Sequence, residues 1–242
     1  MRNDSKPTLI LLPGMLCDEA LWEHQTANLA DMADIRVMDL TRADSVRGMA
    51  LATLAESPQR FALAGFSLGG IVAFEIMRLA PERVTRLALF DTTPRPIRPE
   101  TADLWKPIAN VKDLAEFESQ AAHQLVQMTH PNHREDPALR RSIHSMVKRV
   151  GQHGLQNQLQ AQLNRPDSRA TLPNINIPTL VLAGRDDPAS PLEVQLEMLD
   201  SLSNANLILL KNCGHFSMLE QPIQVAFALQ WWLSDVGYSS SR

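Results

Sequence analysis

The chain has 242 residues, 44% of them hydrophobic and 21% charged, with a formal net charge of −4. That length and apolar share suit one large domain with a proper core, and the charge balance lacks the concentrated basic face of a nucleic-acid binder. No apolar run approaches the roughly 18 residues of a membrane span, the opening MRNDSKPTLI lacks the sustained apolar stretch of a secretory signal, and Cys17 and Cys213 are too few for a disulfide framework. The expectation is a cytoplasmic protein with free thiols and neither nucleic-acid nor membrane partners.

Short β-rich runs alternate with longer helical patterns along the first ninety or so residues. Thr8–Leu12 reads TLILL, a continuous apolar run closed by Pro13-Gly14, as in a strand buried on both faces. Helical patterns are expected around Glu19–Ala30 and Asp44–Ala55, on either side of a weaker strand, DIRVMDL (Asp34–Leu40). The third strand is RFALAG (Arg60–Gly65). It runs into the clearest helix, in which Ile71, Phe74, Met77 and Leu79 form a core stripe and Pro81 ends the pattern. A fourth strand is expected at Arg86–Thr92.

From Thr93 to Ala170 the strand pattern stops. TTPRPIRPE is too proline-rich to be read as regular structure, and after it Val111, Leu114, Phe117, Ala121, Leu125 and Met128 recur at helical spacing. Asp136-Pro137 reads as a helix start, followed by Leu139, Ile143, Met146 and Val150 up to Gly151; Leu155, Leu159 and Leu163 mark a third helix. This segment carries a net charge of +3, against −7 for the rest. Alternation resumes with strands at Pro178–Gly184 and Asn206–Leu210 and helices at Pro191–Leu202 and Pro222–Ser234, before a GYSSSR tail that reads as frayed. The expected fold class is therefore α/β, with a mostly parallel sheet of about six strands. Residues 1–92 and 171–242 form its core, and 93–170 are a helical cap inserted into it.

Gly65–Gly70 reads GFSLGG, with Ser67 where the third strand turns into the helix. A hydroxyl is a poor nucleophile until a base takes its proton and donors hold the oxyanion formed after attack. A sharp strand-to-helix turn exposes the hydroxyl and presents the next backbone N–H, that of Leu68, at a helix N-terminus. Such a turn crowds its neighbours, which is why Gly65 and Gly69 flank Ser67 two residues away on each side. The base is expected in a loop after a late strand, where KNCGHFSMLEQP supplies His215. His24, His123, His144 and His153 sit in helical patterns and need no function. His130 and His133 in HPNHRED suggest a metal, but Pro131 disrupts their presentation and no third ligand is apparent, so no metal is expected. A carboxylate to hold the histidine tautomer comes from GRDDPASP, as Asp186 or Asp187, with Asp91 at the end of the fourth strand as a separate candidate.

The elbow GFSLGG, the acid loop GRDDPASP and the histidine loop CGHFSMLEQP, in that order, resemble the α/β-hydrolase fold in its capped, esterase-like form, over nearly the whole chain. The resemblance implies a Ser67–His215–Asp187 triad, since in that family the acid commonly lies three residues after the glycine that ends its strand. It also implies an oxyanion hole built from the backbone N–H groups of Met15 and Leu68. Many members read His-Gly where this chain has Pro13-Gly14, a change that leaves a backbone donor available but alters the loop. The usual N-terminal hairpin is not evident, as in the shortened members that resemble plant methylesterases and hydroxynitrile lyases. The implied activity is hydrolysis of small-molecule carboxylic esters of small to medium acyl groups through an acyl-enzyme, with no cofactor. Thioester hydrolysis, carbon–carbon ring-cleavage hydrolysis and a non-catalytic ligand-binding role are the alternatives on the same fold. Cys17, Cys213 and Trp22 read as buried packing, and Trp105, Phe117, Leu125 and Met128 as either the lining of an acyl pocket or, for most of them, the core of the cap itself.

Overall fold

The structure, a computed structural model, describes residues 6–234. Among these, β1 (Thr8–Leu12), β2 (Asp34–Val37), β3 (Phe61–Phe66), β4 (Val84–Phe90), β5 (Thr179–Gly184) and β6 (Ala205–Leu210) form one sheet in the order β2-β1-β3-β4-β5-β6. Every pairing is parallel. The inner strands β1, β3, β4 and β5 are almost entirely buried, which is why they read as unbroken apolar runs rather than alternating ones. The edge strand β2 has one half-solvated face and alternates.

The two faces of the pleat bury two separate cores. Leu9, Leu11, Ala64, Phe66, Phe90 and Leu182 point to one face, where they meet α1 (Glu23–Leu29) and α9 (Pro222–Leu233). Ile10, Leu12, Leu63, Leu89 and Val181 point to the other, against α2 (Val46–Glu56), α3 (Leu68–Leu79) and α7 (Leu192–Ser201). On the first face Trp22 packs edge-on against Phe90, with ring centroids 5.6 Å apart. Full burial of a large side chain contributes about 1.5–3 kcal/mol, so these layers, rather than local propensity, fix the sheet.

Between β4 and β5 the chain leaves the sheet and builds α4 (Pro99–Ala109), α5 (Leu114–Gln127) and α6 (Pro137–Leu163). The two ends of this excursion meet, since the Ser168 amide donates to the Pro94 carbonyl at 2.7 Å. The returning end is clamped to α3 by Arg78, which pairs with Glu75 and donates to Ser168 Oγ at 3.1 Å and Thr171 Oγ1 at 3.0 Å. A short α8 (Ser217–Glu220) precedes α9.

The proline-rich exit from β4 is not irregular throughout, as the sequence reading expected. Pro99 opens α4, at a position where its missing N–H leaves no bond unmade. Pro107 within the last turn of α4 reads as a breaker, which hid the helix in the periodicity. The helical patterns before and after Gly151 are the two halves of α6, kinked at Gly151, whose φ of 68° falls in the left-handed region. Asp136 caps α6, accepting from the amides of Ala138 and Leu139. The expected frayed tail, 237–242, lies outside the described residues. Among the described residues no helix is long and apolar enough to cross a membrane.

Candidate active site

The strand order reverses at β1, with β2 on one side and β3 on the other. Ligand crevices in open parallel sheets form outside the carboxyl ends of the strands at such a switch point. The loops leaving β1 and β3 there carry Met15 and Ser67.

Ser67 has φ 51° and ψ −111°, a backbone conformation that residues with a Cβ rarely adopt. It is held there from outside the turn, since its N–H donates to Phe90 O at 2.9 Å and its carbonyl accepts from Thr92 Oγ1 at 2.7 Å. A Cβ on Gly65 would collide with the Gly69 carbonyl, and one on Gly69 with the Leu12 carbonyl. The flanking glycines therefore answer to close backbone approach; neither has a positive φ.

Ser67, His215 and Asp187 are joined in one hydrogen-bond chain. His215 Nε2 lies 3.0 Å from Ser67 Oγ, and His215 Nδ1 lies 2.8 Å from Asp187 Oδ2. The Asp187 carboxylate is fully buried and is fixed by its own turn, where Oδ1 accepts from Ala189 N at 2.7 Å and Ser190 N at 3.1 Å. Burial pulls the His215 imidazole down, but the charge and hydrogen bond of Asp187, aided by Asp91 and Glu220, outweigh it and raise His215 above the ordinary histidine value. This arrangement lets His215 take a proton from Ser67 and hold it as an imidazolium.

Asp91 does not reach the histidine. It is wholly buried at the end of β4, where Oδ1 accepts from Gly184 N at 2.8 Å and Oδ2 bonds Ser217 Oγ. Burial, and then the negative charge of Asp187, push its carboxyl well above the usual carboxylate range. The folded protein thus holds this proton to a higher pH than the unfolded chain does. The stabilisation is fully present below the unfolded value, about 3.9, and drains away as pH rises toward the folded one. Asp91→Asn removes the titration while keeping an acceptor for Gly184. Its melting temperature relative to wild type should therefore rise as pH is raised above the unfolded carboxylate value of about 3.9; a difference that shrinks or reverses with pH would contradict the assignment.

The Met15 amide sits on the loop after β1, across the same cavity as Ser67, and the Leu68 amide opens α3. Neither has a hydrogen-bond partner among the described residues. The loop is anchored by Gln158 on α6, fully buried, whose Oε1 accepts from Leu16 N at 2.9 Å while Leu16 itself takes φ 58°. The sequence reading missed Gln158, since a glutamine inside an apolar helical stripe looks like an interruption.

It also missed Glu220, whose buried carboxylate gathers the amides of Gly214 (3.0 Å), Phe216 (3.1 Å) and His130 (2.8 Å) together with His133 Nδ1 (2.9 Å). Two of those amides flank His215, whose own N–H donates to Met128 O at 2.9 Å. His133 is thus engaged by a carboxylate, and His130 Nε2 lies 3.8 Å from Asp186. Among the described residues no three metal-ligating side chains converge. Cys17 and Cys213 are both buried, and burial pushes their thiols above the usual range.

The cavity above Ser67 encloses about 120 Å³. Trp105, Leu125 and Met128 line it while also packing into the buried apolar core, so they serve both of the roles the sequence left open; Phe117 belongs to that core alone. A helix that folds back over a sheet edge shows one face to its own layer and another to the crevice beneath, and periodicity alone does not separate the two.

A pimeloyl-[acyl-carrier protein] methyl ester esterase of Nitrosomonas europaea is 27% identical over 233 residues, covering 90% of this chain and 92% of the relative. A thermophilic esterase from Thermogutta terrifontis superposes with a TM-score of 0.84 at 26% identity, covering 95% of this chain and 90% of that one. The enol-lactonase of Burkholderia xenovorans LB400 shares the fold, with a TM-score of 0.85 at 19% identity over 96% of this chain and 93% of its own. The profile of the alpha/beta hydrolase family matches residues 9–229, so the chain belongs to that family and is a hydrolase on its fold.

Proposed function

We propose that the protein hydrolyses carboxylic esters of small to medium acyl groups, with Ser67 as nucleophile. The observation that carries this reading is the unbroken chain Ser67 Oγ–His215–Asp187 opening into a largely apolar cavity. Ser67 Oγ attacks the acyl carbonyl as His215 Nε2 accepts its proton. The oxyanion is held by the amides of Met15 and Leu68, each such donor contributing about 2.7–4 kcal/mol to the transition state. His215 returns the proton to the leaving alcohol, then activates a water that releases the acid from the acyl-enzyme. Asp187 holds the tautomer that directs the Nε2 lone pair at Ser67 and supports the imidazolium. Because the oxyanion donors are backbone groups, Pro13 does not impair the chemistry.

The cavity, about 120 Å³, is of the order of the ~150 Å³ that accommodates a benzene-sized molecule. That supports short acyl chains under the helices between β4 and β5. The test is steady-state hydrolysis of p-nitrophenyl esters from acetate to palmitate, alongside mass-spectrometric localisation of a phosphonate label. Repeated turnover on the acetate-to-hexanoate members is expected, with a fall in kcat/KM of about tenfold or more toward palmitate. The label is expected on Ser67. A label with no turnover on any ester would overturn the esterase reading, and efficient hydrolysis of palmitate would overturn the acyl size.

A further inference from the structure

The wall of the cavity away from Ser67 carries charge that the ester chemistry does not use. Arg95, Arg98, Arg165 and Glu193 all line it. Arg95 is balanced, with Nε 2.6 Å from Glu197 and Nη1 3.3 Å from Glu193. Arg165 and Arg98 are not balanced. Arg165, just past the end of α6, donates to the Arg95 carbonyl at 3.0 Å and to Gln162 Oε1, both neutral acceptors. Arg98, at the entry to α4, donates to the Ala189 carbonyl at 3.4 Å, two residues beyond Asp187. Among the described residues neither guanidinium pairs with a carboxylate, whereas Arg78 and Arg149 have Glu75 and Asp18.

A half-buried guanidinium beside a second one, with only neutral acceptors, is an uncompensated cost that a bound anion would relieve. The strain registers on Arg165 itself, which burial and then the Arg98 charge push down to about 10. The N-terminal turn of α4, with Thr101 on the cavity wall, adds the positive end of its dipole to the same region. Guanidinium is also the side chain best shaped to take a carboxylate with two parallel hydrogen bonds.

We propose that the substrate is an ester bearing a second, anionic group remote from the scissile carbonyl, a carboxylate received by Arg165 and Arg98. This rests on the ester-hydrolase reading and narrows it from neutral acyl esters to charged ones. The carboxylate could belong to the acyl half or to the alcohol half, and matched pairs of esters tell these apart. Monomethyl adipate against methyl hexanoate places the charge on the acyl side. Acetoxyacetate against ethyl acetate places it on the alcohol side.

Wild-type kcat/KM is expected to favour the charged member of at least one pair. Arg165→Gln should cut that preference about tenfold, the value of one partly buried charge-assisted hydrogen bond. Arg165→Lys should recover part of it, and the more exposed Arg98→Gln should have a smaller effect. Both esters of a pair are assayed on one preparation, so any loss of folded protein cancels in the ratio. A preference for the neutral member of both pairs, or a ratio untouched by Arg165→Gln, would overturn the proposal.

Calorimetric titration of adipate into the Ser67→Ala protein gives a readout independent of turnover. Binding weakened about tenfold by Arg165→Gln supports the anion site even if no ester is hydrolysed, in which case only the esterase reading fails. Absent binding, or binding indifferent to Arg165, counts against the site.

Discussion

Ser67→Ala is expected to lower kcat on a short p-nitrophenyl ester by about 10⁵–10⁶-fold, the scale of losing the nucleophile of a serine–histidine unit. The variant keeps a Cβ, so the unfavourable φ of 51° at residue 67 is as strained as before and the fold has no reason to relax. Its melting temperature should stay within a few degrees of wild type, which separates loss of chemistry from loss of structure. The sharper form of the prediction is non-additivity. Ser67 Oγ and His215 Nε2 lie 3.0 Å apart, and in the proposed mechanism they act on the same proton. His215→Ala should therefore cost about as much as Ser67→Ala, and the double variant little more than either. Rate losses that multiply would mean that the two residues serve separate steps, and Ser67 would not be the nucleophile.

The strands and the site were legible in the sequence to different depths. β1, β3, β4 and β5 announced themselves because a parallel sheet buried on both faces leaves unbroken apolar runs such as TLILL and FALAGF. Ser67 was legible because the turn it occupies constrains its neighbours as well. Gly65 and Gly69 stand where any side chain would meet backbone, and that need is written in the local sequence. His215 and Asp187 were legible as loop residues following β6 and β5. What the sequence hid is what depends on long-range closure. Gln158 reaches a loop 142 positions away, and Glu220 collects amides from both its own loop and residue 130. Arg98 and Arg165 stand in the sequence as parts of a proline-rich run and a helix boundary, and count toward a net charge of +3. Their significance comes from facing one cavity without carboxylate partners, and no local pattern records that. Helix α4 was hidden for a different reason, because its two prolines are harmless at the first turn and near the last but read as breakers.

Asp187→Asn should lower kcat about 10⁴-fold, because the group that selects the histidine tautomer is lost while the geometry is kept. Asp187 Oδ2 accepts from His215 Nδ1 and so leaves the Nε2 lone pair facing Ser67. An asparagine can offer its NH₂ instead, which would place the proton on Nε2 and leave no base toward the hydroxyl. The pH profile gives the second half of the argument. Wild-type kcat/KM is expected to fall with acidification through a value above the ordinary histidine pKa of about 6.5, since Asp187 supports the imidazolium. Without that charge the acid limb should move to lower pH even as the plateau drops. A fall in plateau with the limb unmoved would mean that Asp187 only positions the loop. Asp91 supplies the control. Burial holds its carboxyl protonated well above the usual range and its oxygens are spent on Gly184 and Ser217, so Asp91→Asn should cost kcat less than about tenfold. If Asp91→Asn instead carries the 10⁴-fold loss and Asp187→Asn little, the acid stands after β4 rather than β5. The 2.8 Å contact between Asp187 and His215 would then be a structural bond beside the working one.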